Sequence, residues 1–339
     1  MLTPQLPEVP LMSDPTPFGW AHLPSPPLSS IAAGLMLLGS PALGADDVPC
    51  PFERVSERVY VIVGSDHQTC SLKAGDHPLT NPAIIVGETG IVLIDPGSSR
   101  RVGRLVLERV RAMTDKPVVA VFNSHIHGLY WLGNQAVREH YPEVPIYAHE
   151  RMINRISQGE GDFWVDAITG DHDGDRTEFI VPDHPLHGGE TLRIAGVEIK
   201  VHHFGHAHTD HDLILEVPDE RVVFLGGLVV EPEVPSQGVP RDADFQGQIA
   251  ATRQVIGLDA DAYVPGRGQP DGEVLPRRAL SFLTALYDGT AAGYDEGLTD
   301  FEVTRTLKGD LADYQRWYDF AELGAVISQM YLQVEQERF

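Results

Sequence analysis

The feature that most constrains this chain is an apolar strand run, Val118-Val-Ala-Val-Phe122, that passes without a break into Asn123-Ser-His-Ile-His-Gly-Leu-Tyr-Trp-Leu-Gly-Asn134. In an extended chain residues i and i+2 point to the same side, so His125 and His127 can place both imidazoles on one metal ion. A single His-x-His is a weak signal, but its position at the C-terminal end of a strand, where loops commonly carry catalytic groups, strengthens it. A second cluster, Val201-His-His-Phe-Gly-His-Ala-His-Thr-Asp-His-Asp-Leu213, also follows a strand run. A catalytic zinc takes three protein ligands plus a water, with neutral imidazole preferred. One further histidine would complete that set, and by spacing alone His203, His206, His208 and His211 all qualify.

The surrounding pattern is that of a two-sheet α/β protein. Arg58–Val63, Ala83–Val86 and Gly90–Asp95 read as strands bounded by Gly, Asn and Pro. Val102, Leu105, Val106, Val110 and Met113 then recur at helical spacing. Ile199–Val201, Leu213–Val217 and Arg221–Leu225 form a second strand-rich half, and from about Glu273 to Phe339 the pattern turns helical and aromatic. Two strand-rich halves with helices between them predict two packed sheets coated by helices. The expected boundaries are a leader over 1–45, a main domain over 46–270 and a helical C-terminal extension over 271–339.

Composition narrows the partners. Forty-nine acidic against 25 basic residues give a formal charge of -24, which excludes nucleic acid, since phosphate binding relies on clustered Lys and Arg. A small-molecule substrate or an anionic ligand is expected, with a periplasmic protein partner as the other option. Met1–Ala45 contains no Lys or Arg and ends in the apolar run Ile31–Leu38 followed by Ser40-Pro-Ala-Leu-Gly-Ala45. This reads as a secretory signal without its positive n-region, and the run is too short for a stable membrane span. A periplasmic or secreted location follows, where Cys50 and Cys70 are able to form one disulfide. Asp171–Glu178 lacks the Gly and Glu placement of a calcium loop and reads as a solvated acidic loop. His149, His172, His184 and His187 read as surface or supporting residues.

Asp95-Pro-Gly after an apolar strand, the His125-x-His127 loop closing on Gly133-Asn134, Ala207-His208-Thr209, Gly226-Gly227-Leu228 and Val264-Pro-Gly-Arg-Gly268 together resemble the metallo-β-lactamase superfamily. The likeness runs in order and spacing from about Val55 to Gln269. Cys50-Pro-Phe-Glu-Arg-Val-Ser, Trp131-Leu-Gly-Asn-Gln and the aromatic helical tail resemble, more narrowly, its periplasmic branch associated with sulfur oxidation and quinoprotein dehydrogenases. The resemblance implies a four-layer αββα sandwich with the site at the sheet edges. It implies His125, His127 and His208 as the ligands of a first zinc ion.

The same resemblance exposes departures. The positions that would hold a second metal are Leu129, Tyr130, Gly227 and Arg267, none of which is a good zinc ligand. One zinc ion is therefore expected. Three histidines with an open position can carry a zinc-bound hydroxide, but Leu129 cannot orient the attacking water as the family's carboxylate does. Asp210, His211 or Asp212 is the candidate base, Asp212 standing where the family often has a structural acid, and Tyr130 is a candidate hydrogen-bond donor to an oxyanion. Arg267 points, in this reading, toward the vacated pocket. There it either binds a carboxylate, sulfate or phosphate or pairs with Asp95 or Asp212 and plugs the space. Two functions compete: a mono-zinc hydrolase of a small ester, thioester or sulfur-containing substrate, and a non-catalytic descendant that binds a metal, an anion or a partner.

Overall fold

In the computed structural model the described residues are 50–64, 78–169, 176–235 and 242–339, all within one unit spanning Ala45–Phe339. The leader, Cys70, His172 and most of the acidic loop lie outside them. Short β-branched runs form twelve strands: β1 (Glu53–Arg54), β2 (Val59–Val61), β3 (Ala83–Val86), β4 (Ile91–Ile94), β5 (Val118–Phe122), β6 (Ile146–His149), β7 (His184–Leu186), β8 (Thr191–Ile194), β9 (Val197–His202), β10 (Ile214–Val217), β11 (Val222–Phe224) and β12 (Ala262–Val264). The first seven make one sheet in sequential order. The other five make a second sheet ordered β12-β11-β10-β9-β8. Pairing is antiparallel through β4 and parallel from β4 to β7; in the second sheet only β11 and β12 run parallel.

The alternation of these strands explains the layers. Val59, Val61, Ile85 and Phe122 face Val201, Leu215, Phe224 and Val264 in a buried core between the sheets. The opposite face of the first sheet, with Ile84, Leu93 and Val121, packs on the helices Arg100–Met113 and Asn134–His140. Ile214, Val223 and Tyr263 pack under the helix Phe245–Ile256. The result is the four-layer αββα sandwich. The aromatic tail folds as three helices, Val274–Asp295, Asp300–Asp310 and Leu323–Arg338, which bury Phe282, Leu286, Ile327 and Met330 against Phe245 and Ile249. Among the described residues no helix is long and apolar enough to cross a membrane. Cys50 is buried and disulfide-bonded.

The C-terminal ends of β4, β5, β9, β11 and β12 deliver Asp95, the His125 loop, the His208 loop, Gly227 and Arg267 in turn. Backbone bonds tie these loops together. Leu213 N–H donates to Ser124 O across the two sheets, and Gly266 N–H donates to Val229 O. Buried Asn81 fixes the remaining corner. Its side chain accepts from Gly64 N–H and donates to Pro265 O and Gly268 O at 2.7–2.8 Å. Asn81→Ala leaves three backbone groups without partners, and we expect a loss of about 2–3 kcal/mol in urea unfolding.

The supporting histidines divide. His184 and His187 are exposed, but His149 is buried, its Nδ1 accepting Arg151 N–H at the start of the helix Glu150–Arg155. Burial first, then His203, His211, Arg151 and His187, lowers its pKa from 6.5 to about 4. The unfolded chain therefore takes up a proton that the folded chain refuses, and stability falls as pH drops from about 6.5 toward 4. Urea unfolding near pH 7 and near pH 5 should show a smaller pH-dependent loss for His149→Asn, which retains a capping side chain.

Candidate metal centre

β5 ends at Phe122, and the extended backbone that follows turns His125 and His127 to one side. His208 meets them from the loop after β9. All three are buried, and one ligand atom from each lies within 4.8 Å of the others, the single such cluster among the described residues. His203 and His206 do not join it; their rings hydrogen-bond to Asp212 O and Asp242 O instead. His208 Nε2 faces His127 Nδ1 at 3.0 Å, close to the ~3.3 Å separating two nitrogens on one tetrahedral zinc.

The chemistry of the three rings suits a cation. Burial first, and then the neighbouring histidines, holds His125 and His208 well below the usual imidazole range, so both stay neutral with a lone pair to give. His125 Nε2, His127 Nε2 and His208 Nδ1 are buried without a hydrogen-bond partner. Of these, His125 Nε2, the nitrogen left after Ser124 takes Nδ1, is the orphan an ion would satisfy; His127 and His208 turn Nδ1 and Nε2 toward each other, which leaves their outer nitrogens unpaired. His125 is steadied through Nδ1 by Ser124 Oγ at 2.9 Å. His127 Nε2 lies 3.5 Å from Asp242 Oδ2. The residues present fit a divalent metal ion held by three imidazoles.

The family model described as the metallo-beta-lactamase superfamily matches residues 76–267. This chain belongs to that superfamily. It is 26% identical over 261 residues to a linear primary-alkylsulfatase of Pseudomonas sp., covering 66% of this chain and 49% of that protein. It therefore spans about half the length of that relative. It is likewise 26% identical over 271 residues to the alpha subunit of a 2,4-dinitroanisole O-demethylase of Nocardioides sp., covering 78% and 71% of the two chains. A solved metallo-beta-lactamase from Pontibacter korlensis matches the fold with a TM-score of 0.55 at 20% identity, covering 69% of this chain and 98% of that one.

Against this metallo-beta-lactamase framework the four departing positions have definite places. Leu129 is half-buried, and its carbonyl accepts Thr80 Oγ1–H at 3.1 Å. The Tyr130 ring packs on His125 with centroids 4.3 Å apart, and its hydroxyl lies against Gly266. Burial raises the Tyr130 pKa, so the phenol stays protonated. Arg267 pairs with neither Asp95 nor Asp212: its Nη1 lies 2.5 Å from Glu233 Oε2. The reason is topological, since Val230 bridges to Arg267 and carries buried Glu233 alongside it. Asp95 instead accepts Ser124 N–H, and Asp212 accepts Thr209 N–H and Oγ1–H.

Asp210 and His211 sit beside the triad in a bracing arrangement. Ile126 N–H donates to His211 Nε2 at 3.3 Å, and His211 Nδ1 bonds Asp210 Oδ1 at 2.6 Å. Both ring nitrogens of this buried histidine are therefore engaged. The His211 hydrogen bond, against opposing burial, lowers Asp210 to about 2, which makes it a weak base at neutral pH. Ser124, Arg155, Glu233 and Asp242 escaped sequence reasoning. Only Ser124, adjacent to His125, carried any local signal.

Gly227 is a requirement of the site. A Cβ there would come within 2.5 Å of His208 Nε2 and 2.7 Å of His125 Cε1. Gly227→Ala should cost about 1–3 kcal/mol through overpacking and reduce bound metal per chain. Thermal unfolding and elemental analysis check both.

Proposed function

We propose that this protein is a mono-zinc hydrolase in which His125, His127 and His208 hold the ion. The supporting observation is the convergence of three buried imidazoles, of which His125 and His208 are held neutral by burial. Zinc bound there supplies Lewis acidity and activates a water for attack. The substrate class is a small ester, thioester or sulfur-containing ester; the alkylsulfatase relative gives independent weight to the last.

The chain's own residues narrow that class. Asp210 and His211 are committed to bracing the loop, Leu129 carries no proton, and Tyr130 keeps its own. No side chain among them is free to protonate a departing group. Hydrolysis consumes one water, breaks the acyl–oxygen, acyl–sulfur or sulfur–oxygen bond, and sends the leaving group out as an anion that takes its proton from solvent. Substrates with low-pKa leaving groups, aryl oxides and thiolates, are therefore favoured over simple alkyl esters. The Cys50 disulfide agrees with an oxidising compartment, and we propose export to the periplasm or beyond.

A second reading has its own observation. Tyr130 packs on His125 and Arg267 pairs with Glu233, so neither offers a ligand to a second metal, as a non-catalytic binder would tolerate. An anionic ligand at Arg267 would have to displace Glu233.

Metal content on protein purified without added metal separates the two readings. About one zinc per chain is expected, falling to none in the His125→Ala, His208→Ala double variant. 4-Nitrophenyl esters, aryl sulfates and thioesters should then turn over at least ~10-fold faster than matched alkyl esters. Wild-type protein without metal, or metallated protein inert toward all of these, leaves the binding reading in place.

A further inference from the structure

Arg155 stands outside every motif in the sequence, yet it reaches the metal loop by two routes. It ends the helix Glu150–Arg155. The chain then widens through Ile156–Glu160, where Gly159 adopts φ 114°, a conformation L side chains rarely take. Irregular turns of this kind occur often at functional sites. The widened turn brings Glu160 back onto the guanidinium, with Nε to Oε1 at 2.7 Å and Nη2 to Oε2 at 2.9 Å. Nη2 also donates to Asp242 Oδ1 at 3.1 Å, while Nη1 lies 3.7 Å from Asp210 Oδ1.

Each of those two aspartates continues to the triad. The other oxygen of Asp242 lies 3.5 Å from His127 Nε2. Asp210 holds His211, which in turn accepts the N–H of Ile126, the residue between the first two histidines. The planar, rigid fork of one arginine thus sets both the ring of His127 and the backbone beside it, which a lysine point charge could not do. Asp242 is also the one carboxylate with an oxygen within 4.0 Å of a triad nitrogen among the described residues.

We propose that Arg155 is the positioning residue of the triad: it holds Asp242 on His127 and Asp210 on His211, so that His127 keeps its proton on Nε2 and offers Nδ1 to the ion. The inference rests on the reading of the triad as a metal centre. Carboxylates that orient a ligating histidine fix its tautomer and raise its basicity, and their loss commonly costs about 10–100-fold in metal affinity. The competing explanation is a local staple, in which Arg155 serves only to close the turn onto Glu160.

The test is zinc affinity by chelator competition on the full chain, for wild type, Arg155→Met, Asp242→Asn and Glu160→Gln, with the His127 ring nitrogens followed by NMR. Arg155→Met and Asp242→Asn are expected to weaken zinc binding about 10–100-fold and to shift the His127 ring signals. Glu160→Gln, which breaks the staple alone, should lower the melting temperature while leaving zinc affinity within about twofold. Should Arg155→Met fail to fold, Asp242→Asn decides. Unchanged affinity in Asp242→Asn and any folded Arg155→Met, beside a zinc-binding wild type, overturns the inference and leaves the metal centre standing. Equal weakening by Glu160→Gln with an unmoved His127 spectrum also overturns it, in favour of the staple. A wild type that binds no zinc overturns the metal centre itself.

Discussion

Three imidazoles that share a buried corner cannot all be charged, and that constraint organises the rest of the molecule. His125 and His208 are driven to the neutral form by burial and by neighbouring histidines, and His125 Nε2 is left buried without a hydrogen-bond partner. An arrangement of this kind persists only if the scaffold over-determines it. The sandwich does so by ending five strands at one edge and bonding their loops to one another: Leu213 to Ser124, Asn81 to Pro265 and Gly268, Ile126 to His211. The helices outside the sheets support this edge at one remove, by burying the faces the strands turn away from the core.

On the proposed reading, the half of the site that would hold a second metal has been rebuilt. Where a second ion would need anionic ligands, the chain places a guanidinium against a carboxylate, so that Arg267 and Glu233 neutralise each other in a partly buried pair. Removing either partner alone would strand a charge. Gly227 completes the change: with no Cβ, it lets His208 and His125 close over space that a carboxylate would hold open. Tyr130 packs against His125 as an aromatic wall.

Much of this was legible in the residues and some of it could not be. β3 and β5 fall on the strands expected from their apolar runs, and the Phe282–Met330 cluster realises the aromatic tail. β1, β6, β7, β8 and β12 were not foreseen, and two of them show why. Glu53-Arg54 has no apolar alternation, and Pro185 within His184–Leu186 signals a break, tolerated here because β7 lies at the sheet edge. At the site, ligand-type residues announced themselves through spacing along a strand. The partner of Arg267 did not, because ion pairing is set by which loops a sheet brings together. Arg155 and Asp242 are 87 positions apart, and nothing local in either segment marks the contact. Spacing left four histidines of the second cluster equivalent; the structure separates them by what each ring nitrogen already holds.

A hydrolytic centre needs a Lewis acid, a group that manages the water's proton and some provision for the leaving group. On the proposed reading the triad would hold the first of these, but the carboxylates nearest to it are spent on geometry. Asp210 is anionic and fastened to His211, and Asp242 is shared between Arg155 and His127. Freeing either for proton transfer would loosen the loop that presents the imidazoles, so precision of the ligand set and general-base capacity draw on the same two side chains. The architecture resolves this competition toward ligand placement. In a hydrolase of the proposed kind, rate would then come from the acidity of the bound water and from the substrate's own leaving group, which is why the proposed substrate class follows from residues that do not touch the reacting atoms.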